Sequence, residues 1–322
     1  MIDHIKKPIL KELEIFKEKL SDFLKTDNPL LSSIYNSIFD ENSKQMRVIL
    51  SLLSAKICGT INEKTYRGAI AIELIHNASL LHDDVIDNSE IRRGKPSMNS
   101  LWNNKIAILS GDNLVSKSMS CIIECDNKYI LNEIAAMGNQ LTEGELMQLH
   151  LSGNIEITED DYFSLIKKKT AAMFAACTAI GAYSANAPQY VVKRIRKYGE
   201  LLGICFQIKD DIFDYSSNLN IGKPTGNDFL DGKITLPLIY ALTKIENREC
   251  SKIISIIQNK DFTKKNIDKV IQFAHKQGGI EYSIKRMAEY KNKANMEIEF
   301  FSESEYRDAL VLCSEFVTCR NI

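Results

Sequence analysis

Apolar residues recur at three- and four-residue spacing along nearly the whole chain. Ile5, Ile9, Leu13, Ile15, Phe16, Leu20 and Phe23 form one stripe, closed before Asp27-Asn28-Pro29. That spacing keeps one face of a helix apolar and predicts an amphipathic α-helix. Arg47 to Cys58 (RVILSLLSAKIC) is apolar on most sides and predicts a buried helix. Glu63 to Asp87 predicts a long helix, apolar from Ile70 through Leu81. Further helices are predicted at about 105–126, 128–151, 158–185, 189–215, 235–245, 249–258, 264–277, 279–302 and 304–319. No run of four to eight residues alternates with period two between turn signals, so no strand is predicted. There is no internal repeat, low-complexity tract or linker. The pattern reads as one all-α domain, residues 1–322, of ten or more helices.

Composition agrees with the pattern. The 322 residues include 15 glycines and 6 prolines, below the usual roughly 7% and 5%. So few turn formers exclude a β-sandwich or barrel and any Pro/Gly-rich disordered class. Hydrophobic content of 44% with 26% charge is globular. With 41 basic and 42 acidic residues the net charge is −1. No global field therefore draws nucleic acid or an anionic membrane, and a charged ligand must be met by local clusters. The eight cysteines contain no C-x-x-C pair and sit mostly in apolar helical contexts, which predicts reduced, buried thiols in a cytoplasmic protein. The first 20 residues carry four acidic side chains and no apolar core, so they are not read as a signal peptide. Thr170 to Val192 is uncharged but mostly Ala, with Gly181, Ser184, Asn186, Pro188 and Gln189. It is expected to be a buried helix packed through small residues, not a transmembrane segment.

The candidate chemistry begins in LIHNASLLHDDVIDNSEIRRGKPS, residues 74–97. Asp83, Asp84 and Asp87 fall at i, i+1 and i+4, predicting three carboxylates toward one side of a helix end. Like charges at i,i+4 cost a helix roughly 0.2–0.5 kcal/mol per pair, and the macrodipole disfavours anions at its C-terminus. Such a cluster persists on a solvated face or where cations neutralise it. Its apolar flanks, SLLH and VI, argue against an ordinary solvated face. The pattern also recurs 127 residues later in GICFQIKDDIFDY, at Asp210, Asp211 and Asp214. Two such clusters on separate buried helices can face one another across a cavity and hold several metal ions. Oxygen-only ligands select a hard divalent cation such as Mg²⁺, which keeps waters and takes substrate phosphate oxygens.

Basic residues follow each cluster: Arg92-Arg93-Gly94-Lys95-Pro96 after the first, Gly222-Lys223-Pro224-Thr225-Gly226 and Asp231-Gly232-Lys233 after the second. Arg reads phosphate as a fork and Lys as a point charge. Carboxylate clusters alternating with fixed cations are what a metal-bridged diphosphate requires.

On these residues the chain resembles the trans-polyprenyl diphosphate synthases of the polyprenyl synthetase family, from about residue 30 to at least 245. It has two D-D-x-x-D motifs, R-R-G-K after the first, F-Q-x-x-D-D-x-x-D for the second, then two G-K segments. The resemblance implies the isoprenoid synthase fold, a helical bundle around a deep central cavity. It implies head-to-tail condensation of isopentenyl diphosphate with an allylic diphosphate, with Mg²⁺, three ions per site once substrate is bound. Asp83, Asp84, Asp87 and Asp210, supported by Asp211 and Asp214, would bind Mg²⁺ and the allylic diphosphate. Arg92, Lys169, Lys223 and Lys233 would contact that diphosphate. Lys169-Thr170 matches the family's K-T pair, and Thr170 with Gln207 would stabilise developing cation. Lys44, Arg47, His76 and Arg93 would hold isopentenyl diphosphate. The family's G-K-R-x-R-P is altered here to Ser43-Lys44-Gln45-Met46-Arg47-Val48, which weakens or reshapes that site.

Side chains on a helix lean toward its N-terminus, so residues four and five before the first motif, Ser79 and Ala78, are aimed at the growing tail. Both are small. In the family aromatic residues there stop elongation early, so the expected product is an all-trans polyprenyl diphosphate of six or more isoprene units. A short-chain farnesyl or geranylgeranyl synthase, or the catalytic subunit of a heterodimeric medium-chain synthase, are the alternatives within the family. A class I terpene cyclase would carry an N-S-E metal motif where this chain has its second D-D-x-x-D; Asn88-Ser89-Glu90 has the letters in the wrong place. A non-catalytic subunit would lack aspartates that are all present. The family also implies a homodimer, no nucleic acid partner, and a product that brings the enzyme to membranes.

Overall fold

The computed structural model describes residues 1–39, 45–92, 94–215, 227–244 and 248–320. Among them the chain is helical almost throughout, as the periodicity predicts. The bounds follow the apolar pattern closely: Met46–Cys58, Glu63–Ile86, Lys128–Leu151, Gln189–Asp214, Lys264–Lys276 and Glu305–Cys319. The starts have local causes. Asn28 caps Pro29–Ile38 by accepting from the Leu30 and Leu31 amides, with Pro29 at the first helical position. Asn62 caps Glu63–Ile86 in a reciprocal box with Thr65, and Thr158 does the same with Asp161 for Glu159–Ile166.

The chain divides into two compact units. The first comprises Met1–Gly138, Met173–Gly199 and Glu297–Cys313. Its core runs through Met46–Cys58, where Val48, Ile49, Leu50, Leu52, Leu53 and Ala55 are all buried. Each of the Val, Ile and Leu side chains contributes about 1.5–3 kcal/mol by leaving water. Against it lies Glu63–Ile86, buried from Thr65 through Ala78 apart from Arg67. Small residues let neighbours approach: a Cβ on Gly111 would lie 2.3 Å from the His82 ring, and one on Gly181 would lie 2.2 Å from Ser51 O. The uncharged Ala-rich stretch forms Ala172–Ser184 and is buried through small residues, as expected.

The second unit comprises Asn139–Ala172, Glu200–Met296 and Ser314–Ile322. Its core includes Ile157, Tyr162, Phe163, Ile166, Ile204, Ile208, Tyr215, Leu236, Leu238 and Phe273. Tyr240 stacks on Tyr282 with ring centroids 3.9 Å apart. No helix among the described residues is long and apolar enough to cross a membrane.

Two local features depart from the periodicity. Ile91–Arg92 pairs antiparallel with Lys95–Pro96, around a turn in which Gly94 has φ +75°. Two residues are too few for an alternation signal; a glycine able to adopt positive φ makes this hairpin. The predicted helix 158–185 is interrupted by one π-helical turn, Lys167–Ala171, between Glu159–Ile166 and Ala172–Ser184. One extra residue within a helix leaves no trace in composition, yet π turns concentrate at functional positions. Gly144 lies against this turn, where a Cβ would fall 2.7 Å from the Lys169 nitrogen.

Candidate active site

The first carboxylate cluster closes the helix Glu63–Ile86, with Asp87 as its C-cap. The three aspartates do not behave alike. Asp84 is 1% exposed, whereas Asp83 and Asp87 are part-exposed. With 3.6 residues per turn, positions i and i+4 share a face and i+1 is turned about 100° away. The chain then folds back on itself: Asn88 takes φ 47°, Ser89 N donates to Asp84 O at 2.9 Å, and Ser97 Oγ donates to Ser89 O at 2.7 Å. The hairpin returns Arg92 to Asp84, its Nε 2.7 Å from both carboxylate oxygens. Asp84 is thus neutralised from within the chain. The residues Asn88, Ser89 and Glu90 form this turn.

The second cluster repeats the division. It closes Gln189–Asp214; Asp211 is 4% exposed, while Asp210 and Asp214 are part-exposed. Asp211 Oδ2 accepts from the Tyr162 hydroxyl at 2.5 Å, and its Oδ1 accepts from Gln207 Nε2 at 2.8 Å. Gln207 Oε1 in turn accepts from Thr170 Oγ1 at 2.6 Å. These residues line a pocket of about 110 Å³ with Lys169, Lys233 and Gln148. Lys169 Nζ reaches Glu145 at 2.8 Å and Gln148 at 3.1 Å, and Lys233 Nζ reaches Asp231 at 2.7 Å. Five residues singled out from the sequence, Lys169, Thr170, Gln207, Asp211 and Lys233, therefore meet at one pocket.

Among the described residues no three His, Cys, Asp or Glu side chains converge as a ready-made metal cage. Part-exposed carboxylates at two helix ends suit a hard cation that completes its shell with water and substrate oxygens. In each cluster taken by itself the part-exposed oxygen donors, Asp83 and Asp87 in the first unit and Asp210 and Asp214 in the second, are of the kind that would hold Mg²⁺.

A family model described as polyprenyl synthetase matches residues 28–274. The chain belongs to the polyprenyl synthetase family. Two curated relatives are each 33% identical: an all-trans-nonaprenyl-diphosphate synthase, geranyl-diphosphate specific, of Rhodobacter capsulatus and a short chain isoprenyl diphosphate synthase of Methanothermobacter thermautotrophicus. The first alignment covers 94% of this chain and 93% of the relative, the second 94% of both. Among solved structures, a polyprenyl synthase of Caulobacter crescentus complexed with calcium and isoprenyl diphosphate superposes with a TM-score of 0.94 at 28% identity, over 100% of this chain and 98% of that one. As a member of the polyprenyl synthetase family the chain is an enzyme, a transferase of prenyl groups, with the all-α isoprenoid synthase fold.

Arg47 Nη1 lies 2.9 Å from His76 Nε2, and the guanidinium sits 5.3 Å from the Phe174 ring centre. Arg donates only, so His76 Nε2 accepts and the ring proton sits on Nδ1. Gln45, where the family has Arg, begins Met46–Cys58 in the left-handed region at φ 49°. Ala78 is fully buried; Ser79 is part-exposed and donates to His76 O at 2.9 Å. Lys44, Arg93 and Lys223 lie outside the described residues.

Several participants carry no motif. Tyr162 is one, Glu145 and Gln148 are others, and Arg320 is the least expected. Its Nη2 donates to Asp210 Oδ1 and, at 3.1 Å, to Phe206 O, and its guanidinium lies 3.9 Å from the Phe206 ring centre. Burial lowers its pKa, with Asp210 opposing. Nothing local in the sequence marks a contact across 110 residues.

Proposed function

We propose that the protein condenses isopentenyl diphosphate head-to-tail with an allylic diphosphate, making an all-trans polyprenyl diphosphate of six or more isoprene units. The observation that carries this reading is the shared division of both D-D-x-x-D sets. In each, the second aspartate is buried and the first and last remain part-exposed at a helix end. Mg²⁺ held there would neutralise charge on the departing diphosphate. The chain's own cations do the rest of that work: Lys169 and Lys233, with Arg92 and Lys223, bind the diphosphate and oppose its charge. Thr170 and Gln207 face the allylic carbon as it becomes cationic. Arg47 and His76, with Lys44 and Arg93, hold isopentenyl diphosphate so that its double bond attacks that carbon. The proton lost afterwards goes to the diphosphate.

Chain length rests on Ala78 and Ser79, whose small side chains leave room for a tail. The reading of one all-α domain over 1–322 is supported by the family match, 28–274, which takes in segments of both units. A homodimer is supported by apolar residues left exposed on and beside Asn104–Ile123: Leu101, Trp102, Ile108, Leu109 and Ile123. The balanced charge and buried thiols support a cytoplasmic enzyme without a nucleic acid partner.

The test is incubation of purified protein with Mg²⁺, labelled isopentenyl diphosphate and farnesyl diphosphate, with product masses read by mass spectrometry. Products of six or more units support the reading; C20 alone makes it a short-chain synthase. Ala78→Phe is expected to shorten the product without abolishing turnover. Turnover only with a second subunit would place the chain in a heterodimeric synthase.

A further inference from the structure

The pocket in the second unit contains a relay whose direction is set at its far end. Asp211 is a carboxylate and can only accept. Its Oδ1 therefore faces the nitrogen of Gln207, at 2.8 Å. That leaves Gln207 Oε1 toward Thr170, at 2.6 Å, so Thr170 must spend its only proton on Gln207. The remaining lone pairs of Thr170 Oγ1 are then directed into the pocket that Thr170 lines. The anchor of this chain is Tyr162: its ring is 2% exposed and its hydroxyl donates to Asp211 Oδ2 at 2.5 Å.

We propose that Tyr162 is a positioning residue for the prenyl-transfer reaction: by fixing Asp211 it fixes the direction of the Asp211–Gln207–Thr170 relay, so that Thr170 offers an oxygen and not a proton to the developing allylic cation. The proposal rests on the reading that this cation forms beside Thr170. Without the Tyr162 hydroxyl the carboxylate can turn, and the Gln207 amide can invert. Gln207 Nε2 would then donate to Thr170, and the Thr170 hydroxyl would swing its proton into the pocket. The positive end of that dipole would meet a positive carbon. Catalysis would suffer through the transition state while the ground state, a neutral allylic chain, would bind as before.

Two variants test the relay. Tyr162→Phe removes the anchor. Asp211→Asn keeps the shape but, with its oxygen on Tyr162, presents a nitrogen to Gln207 and so forces the same inversion. Each is compared with the unaltered protein by calorimetric binding of two probes in Mg²⁺. One is an ammonium analogue of an allylic diphosphate, charged at the carbon that becomes cationic; the other is the neutral thiolo-diphosphate of the same chain. The ratio of the two affinities cancels any effect on metal or diphosphate. Both variants are expected to lower the preference for the cationic probe about tenfold, the size of a lost hydrogen bond to a charge, and Tyr162→Phe to lower kcat with an unchanged KM for the allylic substrate. An unchanged preference in either folded variant overturns the relay. Equal weakening of both probes in Tyr162→Phe, with a lowered melting temperature, also overturns it and leaves Tyr162 a packing residue. If the unaltered protein binds neither probe, prenyl transfer itself fails; if it binds both equally, the cation does not form beside Thr170.

Discussion

Asp84 and Asp211 hold the same position in their motifs and the same kind of surroundings, each buried in its own unit and supplied with donors by the chain itself. A one-line motif cannot say this, because D-D-x-x-D writes three equal letters where the helix gives two directions. The spacing reads as three carboxylates on one side, but only i and i+4 share a face, where the part-exposed carboxylates stand; the step of about 100° turns the middle one inward. The Asp84–Arg92 pair has a measurable consequence. Removing one partner of a buried ion pair costs about 3–5 kcal/mol; Arg92 is 29% exposed, which screens the pair and lowers the expectation to about 2 kcal/mol. Urea unfolding of Arg92→Met is therefore expected to show a loss near that size, and a loss below about 0.5 kcal/mol would mean the pair is not structural. The cysteines give a second residue-scale expectation. Burial pushes the Cys58, Cys121, Cys177 and Cys205 thiols up to about 12, so they stay protonated at neutral pH. Cys319 is exposed. Thiol titration of the native protein should find Cys319 reacting ahead of the rest, and Cys319→Ser should remove that phase.

Helices were readable because a repeating apolar face is a long, redundant signal. Asn28, Asn62 and Thr158 mark starts that the apolar period alone leaves loose by a residue or two. The π turn Lys167–Ala171 was not readable, since its Lys-Lys-Lys-Thr-Ala composition suits an ordinary helix. Neither was the hairpin that brings Arg92 back to Asp84, because four residues settle it. Gly144 links element to chemistry: the atoms nearest a Cβ there are the Lys169 nitrogen at 2.7 Å and Cα at 2.9 Å, which is backbone and cannot swing aside. Gly144→Ala should push the π turn and with it Lys169 and Thr170. A displacement approaching 1 Å can cost about a hundredfold in rate. The expected result is a kcat loss of that order with helical content unchanged by circular dichroism. Full activity would show that the turn is not held where Gly144 meets it.

Over the whole chain the two units could not be seen in the sequence, because their boundaries fall inside helices. Gly138 and Asn139 are both within Lys128–Leu151, and Gly199 and Glu200 within Gln189–Asp214. No linker composition marks either place. The family, by contrast, was legible, since its motifs are short, specific and carried twice. Arg320 shows the limit of that legibility: it reaches Asp210 from the far end of the chain, in a region where the sequence shows only helical periodicity. At this scale the exposed apolar residues of Asn104–Ile123 make a prediction about assembly. Leu109 is 63% and Ile123 69% exposed. Leu109→Glu with Ile123→Glu should halve the sedimenting mass of a homodimer. An unchanged mass would place the subunit contact elsewhere. The π turn also bears on how relatives can differ. A single residue lost from Lys167–Ala171 would restore a regular helix with its flanks in register, but would remove the bulge on which Lys169 and Thr170 sit. A substitution at Lys167 or Lys168 costs one contact; a gap would displace Lys169 and Thr170 together. Aligned sequences that keep the enzyme should therefore vary at Lys167 and Lys168 but keep Lys169, Thr170 and the length of the segment constant.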